Sequence, residues 1–199
     1  MEYSDNNPIA LKEWAVAIKA LREGGQILVL RKGGIVEETR DFQLESHDFY
    51  LYPTYEHQKK ELVKEAYREA LDQAMDGWSA DDTTVPLTVY AHVVEDIEIA
   101  DQEELNRLSR FHIWTDTFAE ERLKWKKTSP LHLLLLRVYE LEQIVKLPIA
   151  DEYLGCKSWV RIPDPIPKIN MHPVLDDAEF NARVQEIRGA LKRSFSAEA

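Results

Sequence analysis

The sequence predicts an α+β fold, a small mixed, barrel-like sheet with a few flanking helices. Stretches with strand character outnumber helical ones. They are scattered rather than alternating as regular βαβ units, which disfavours a doubly wound sheet. The chain also has only 7 Gly in 199 residues, so phosphate-cradling glycine loops are scarce. The glycine pair that follows a strand, Gly33-Gly34, lacks the spacing of either nucleotide fingerprint.

The first element reads as a helix. Asn7 and Pro8 suit an N-cap and a first helical position. Leu11, Trp14, Ala15, Ile18 and Leu21 then recur at helical spacing, and Gly24-Gly25 stop the run. Gln26 to Leu30 is apolar at every interior position, as in a strand buried on both faces, and it ends in Arg31-Lys32. A strand over 48–53 alternates Phe49, Leu51 and Pro53 with Tyr50 and Tyr52. A long helix is expected from about His57 to Met75, with Leu62, Val63, Ala66, Tyr67, Ala70 and Leu71 in its stripe. Residues 86–99 supply one or two strands. Asp101 and Glu104 form a capping-box start, and a second short helix begins near Asp116 and ends in a basic cluster. Leu131 to Val138 is the most apolar strand, 140–148 is irregular or extended, and 154–162 closes the core with Trp159. Four prolines between Pro163 and Pro173 read as an extended linker. Phe180, Val184, Ile187 and Leu191 mark a final amphipathic helix. The expected division is a core domain at 8–162, a linker at 163–175 and a C-terminal helix at 176–195.

The formal net charge of −11 argues against broad nonspecific nucleic-acid binding, though not against a local basic patch. The single cysteine, Cys156, cannot form an internal disulfide, and the polar, acidic first ten residues do not read as a signal peptide. A reducing, cytoplasmic setting is therefore expected. The longest aliphatic run, Leu133–Leu136, is too short to span a bilayer, so no membrane partner is expected. No histidine has metal-like spacing with a cysteine or an acidic residue, and neither a metal nor another cofactor is expected.

The stretches ALKEWAVAIKALREGGQILVLRKGGIVEE and FYLYPTYEH within 10–57, FHIWTDTFAEERLKWKKTSPLHLLLLRVYEL at 111–141 and GCKSW at 155–159 resemble the bacterial domain-of-unknown-function family 1802. That resemblance implies an association with restriction-endonuclease domains and hence with a defence system. The order of a glycine-stopped helix, a strand ending in Arg-Lys, the late strand LHLLLLRVYELEQIVKLPI and then GCKSWV also resembles the PUA-like barrels, including ASCH and EVE domains. This second resemblance implies a PUA-like barrel, with 57–75 as an inserted helix, that binds RNA or modified bases.

Candidate binding residues follow from chemistry. Arg31 and Lys32 offer a guanidinium fork and a point charge at a strand end. Tyr52, Tyr55 and His57 lie where the next strand leaves the sheet, and exposed rings there could stack on bases. Arg122, Lys124, Lys126 and Lys127 surround Trp125, an interleaving of cations and aromatic that suits a nucleic-acid surface. The nuclease signature E-x-K or D-x-K is absent, with arginine where lysine is needed in Glu38-Thr-Arg40. The expected function is a non-catalytic binding module for RNA or modified bases in DNA. One alternative is a small hydrolase of modified nucleosides; the ASCH resemblance implies a Lys and a Glu, for which Lys32 and Glu37 are the candidates. Another is an interaction protein whose C-terminal helix docks on a partner chain.

Overall fold

A computed structural model describes residues 2–5, 8–32, 42–56, 58–125, 129–155 and 157–192, with residues 2–5 and 168 described by backbone alone. The order is β1 (Glu2–Asp5), β2 (Ile9–Trp14), α1 (Ala15–Arg22), β3 (Leu28–Arg31), β4 (Asp48–Thr54), α2 (Arg68–Met75), β5 (Thr84–Ile99), α3 (Gln102–Arg107), α4 (Asp116–Lys124), β6 (Leu131–Pro148), β7 (Trp159–Arg161), β8 (Ile166–Pro173) and α5 (Asp177–Leu191). The fold is mixed α+β, as expected. One sheet runs β1-β8-β6-β5-β4-β2-β7, with β3 also on β6. β2 and β4 are parallel, and the other pairs are antiparallel.

The sheet curls. Ile9, Leu11, Val29, Phe49, Leu51, Val89, Ala91, Leu134 and Leu136 share one buried cluster, so five strands turn one face onto a common interior. β3, paired to β6, comes back to meet β2 and β7. Among the described residues no backbone ladder joins β3 to either of those strands. A second core packs the helices on the outer face of β3 and the start of β6, through Leu28, Leu30, Leu133 and Leu135. A third, with Tyr50, Tyr52, Tyr90 and Tyr153, covers the outer face of β2, β4 and β5.

Three elements differ from the sequence reading. Residues 9–14 form β2 rather than the first turns of a helix, and α1 starts only at Ala15. Ladders to β4 and β7 satisfy that backbone on both sides, which outweighs the helical spacing. The expected long helix at 57–75 is two 3₁₀ turns, Lys60–Leu62 and Glu65–Tyr67, followed by α2. Val63 is drawn into an isolated bridge with Trp114, and the amide of Lys64 donates to the Ile113 carbonyl at 2.9 Å. A helix cannot continue through a residue held extended. The proline-rich stretch read as a linker carries β8, which pairs with β1 and β6. The final helix α5 then buries Phe180, Val184 and Ile187 in the helical core of its own chain. Among the described residues no helix is long and apolar enough to cross a membrane.

The glycine stop after α1 is a Schellman turn: Gly24 N–H donates to the Leu21 carbonyl at 3.1 Å and Gly25 N–H to the Ala20 carbonyl at 2.7 Å. Gly24 sits at φ +69°, and a Cβ there would lie 2.8 Å from Cδ2 of Leu175. The leucine tip can move, but the backbone conformation cannot be relieved. Gly24→Ala is expected to cost about 1–3 kcal/mol in urea unfolding; a change of a few tenths would show that the turn relaxes freely.

Candidate functional site

Strand alternation builds the site. On β2, Ile9 and Leu11 face the interior of the curl, so Glu13 faces it too and is 5% exposed. On β3, Val29 faces the same interior, and Arg31 follows it. The two meet at the seam where the curled sheet returns on itself. Nη1 of Arg31 lies 3.4 Å from Oε2 of Glu13 and donates to the Lys12 carbonyl at 3.1 Å. Its Nη2 donates to Oγ of Ser158 at 2.8 Å. One guanidinium thus ties β3 to β2 and to the approach of β7. Nε of Arg31 is buried and has no hydrogen-bond partner among the described residues.

Two further cations lie nearby, of which Arg122 faces the seam and Lys32 the end of α4. Arg122, on α4, donates to the Leu30 carbonyl at 3.2 Å, and its guanidinium lies 5.2 Å from the Phe118 ring centre. Burial pushes it down to about 10; the charge of Arg31 adds to that and Glu13 opposes it. Arg31 and Arg122 are therefore close enough to repel each other. Lys32, only 4% exposed, donates to the Leu123 carbonyl near the end of α4. That bond meets one of the carbonyls a helix end leaves open. Burial lowers the Lys32 amine from its ordinary value.

The rim is aromatic and acid–base in character. Phe42 lies 5.7 Å from the Arg31 guanidinium, 5.4 Å from the His132 ring and 6.1 Å from Trp159, the last pair stacked. His132 is the cross-strand partner of Arg31, so the two side chains share a face. Its Nδ1 meets Oδ1 of Asp96 at 2.9 Å.

The structure thus brings Arg31 and Arg122 together from the two stretches that sequence singled out, and ties Lys32 to the end of α4. The other candidates sit differently. Lys124 pairs with Glu120 one turn earlier on α4. Trp125 is exposed. Tyr52 is buried edge-on to Tyr153, with Nζ of Lys12 5.8 Å from its ring centre, and burial raises its phenol. Tyr55 stacks on Trp78 at 5.5 Å, and burial, then Asp82, raises its phenol. Glu37, His57, Lys126 and Lys127 lie outside the described residues. Sequence reasoning missed Glu13, Ser158, His132 and Asp96. Glu13 could have been found only by reading 9–14 as a strand, where its alternation with Ile9 and Leu11 turns it inward.

The chain is similar, at low identity, to crystal structures of ASCH from Zymomonas mobilis. For one the identity is 13% and the TM-score 0.44, covering 89% of this chain and 94% of that one. For a serine-to-alanine mutant of that protein the values are 11% and 0.45, with 92% and 98% covered. No curated protein matches. Residues 10–186, spanning every strand of the curl and most of α5, match the profile described as domain of unknown function (DUF1802), and the chain belongs to that family.

Proposed function

We propose that the chain is a binding module for RNA or for modified bases in DNA, and that the Arg31 seam closes a PUA-like barrel whose end presents the site. One observation carries this reading. Two cations, Arg31 and Arg122, are gathered in a largely desolvated place with Glu13 as their carboxylate among the described residues, and Lys32, the next residue along β3, is buried against the end of α4. In a chain of net charge −11, excess positive charge held away from water is costly, and such costs concentrate at functional sites. The donors are not exhausted. A guanidinium has five N–H groups and an ammonium three, and each of these side chains spends only part of its set on the described residues. A phosphate would take the remainder as charge-assisted bonds.

Anisotropy titrations with labelled single-stranded RNA, and with DNA carrying modified bases, test this across a range of salt. Binding is expected to weaken as salt rises. Arg122→Gln and Lys32→Gln should each make the log–log salt slope shallower by about 0.7, the increment that one neutralised phosphate of a single strand contributes. No binding at low salt, or unchanged slopes in both variants, would overturn the reading.

A second reading, a hydrolase of modified nucleosides in the same cleft, draws on the lowered Lys32 amine, since general-base work requires a lysine shifted that way. Turnover of acylated nucleosides that disappears in Lys32→Ala would favour it over simple binding.

A further inference from the structure

A groove of about 350 Å³ opens among the α1–β3 turn, the 3₁₀ turn Ser109–Phe111 and α5, and it shares no residue with the Arg31 site. Gly25, Gln26 and Ile27 line one side, Arg110 and Phe111 a second, and Arg183, Glu186 and Ile187 the third. Its size falls at the lower end of the range for small-molecule pockets.

The charges in it are unspent. Among the described residues neither Arg110 nor Arg183 has a hydrogen-bond or ion-pair partner. The nearby end of α1 does not use them, because the carbonyls of Lys19, Ala20 and Leu21 already accept from the amides of Glu23, Gly24, Gly25 and Gln26. Arg110 lies 4.6 Å from the centre of the Phe111 ring, which restrains the guanidinium without consuming its N–H groups. The floor is fixed in advance. The Gln26 amide donates to the Leu28 carbonyl at 2.9 Å, and its oxygen accepts from Ile113 N–H at 3.1 Å. A floor that does not reorganise lowers the cost of binding.

Two arginines that line one groove from different elements offer guanidinium forks to it, and such forks recognise the oxygens of a phosphate bidentately. Glu186 adds a second requirement. Its carboxylate repels a bare anion, so the rest of the ligand must offer hydroxyl or amine donors to it. We infer that this groove is a site for a small phosphate ester with a hydroxylated or amino-bearing body, the phosphate held by Arg110 and Arg183 and the body by Glu186.

Calorimetric titration of the full chain with ribose 5-phosphate, inorganic phosphate and free ribose tests the assignment. The ester should bind, phosphate should bind about tenfold more weakly, and ribose should not bind. Arg110→Gln and Arg183→Gln should each weaken the ester by about tenfold or more, the scale of one charge-assisted bond. Glu186→Gln should erase the advantage of the ester over phosphate, and the tenfold losses from Arg110→Gln and Arg183→Gln should persist in an Arg122→Gln background. Circular dichroism verifies that each variant folds, and Arg183→Lys, which keeps the charge without the fork, serves should Arg183→Gln fail to fold. The site is refuted if the ester gives no heat at millimolar concentration or if binding survives both glutamine variants. It is equally refuted if Arg122→Gln abolishes binding that Arg110→Gln leaves intact.

Discussion

Arg31→Met should destabilise the protein by about 3–5 kcal/mol, the range found when one partner of a buried ion pair is removed. Glu13 would be left at 5% exposure without its nearest cation, and the seam would lose the bonds to the Lys12 carbonyl and to Ser158. For a chain of this size the loss corresponds to a fall in Tm of roughly 6 to 20 °C. Glu13→Gln should cost at least as much, for a different reason. Arg31 and Arg122 would then face each other with no anion between them, and the depression of Arg122 would deepen. Replacing both members, as Arg31→Met with Glu13→Leu, should recover much of the loss, because no buried charge is then stranded. If the losses of the two single variants simply add in the double, the pair is uncoupled and the seam does not depend on it. The same series bears on binding. Glu13→Gln leaves two guanidiniums in want of a counter-ion, so added phosphate should raise its Tm more than that of the unaltered chain. Equal responses would mean that the seam does not admit an anion.

Much of the architecture was legible where a local pattern and its tertiary setting agree. Leu131 to Leu136 reads as a buried strand and is one, central in the sheet with β3 on one side and β5 on the other. Phe180, Val184 and Ile187 read as a helical stripe and pack as one. The Gly24-Gly25 stop is the Schellman turn itself. Reading failed where distant partners overrode local preference. Residues 9–14 carry apolar residues that also fit a helix, and the alternation that marks a strand is disguised because its third inward position is Glu13. Val63 belongs to a good helical stripe, yet its bridge to Trp114 breaks the helix. The site divides along the same line. Arg31, Lys32 and Arg122 are visible as local charge at element ends. Ser158 meets Arg31 from 127 residues away, and a contact at that separation leaves no periodic trace in the sequence. His132 and Asp96 come together only through the β5–β6 and β3–β6 registers.

Acid should unfold this protein through His112. The residue is 3% exposed, its two buried ring nitrogens have no hydrogen-bond partner among the described residues, and it follows the 3₁₀ turn Ser109–Phe111. Burial is the main cause that brings its imidazole down to about 4; the Lys64 ammonium acts in the same direction, while Asp116 and nearby backbone oppose it. Lys64 cannot easily move away, because its Nζ donates to the carbonyls of Ser109 and His112. The unfolded chain therefore binds a proton at His112 near pH 6.5 that the folded chain refuses until about pH 4. Stability from the neutral ring is complete above about pH 6.5 and is lost as pH falls toward 4, a total of about 3 kcal/mol. Most of that, about 2–3 kcal/mol, should be gone by pH 4.5. Carboxylates also titrate over part of this range, so the informative quantity is the difference between the unaltered chain and His112→Phe. Phenylalanine has no ring nitrogen to leave unpaired, so the variant should match or exceed the unaltered stability at pH 7. In urea unfolding at pH 7 and 4.5 it should lose about 2–3 kcal/mol less. Parallel curves for the two proteins would mean that the ring takes up its proton without disturbing the packing between Lys64 and Asp116.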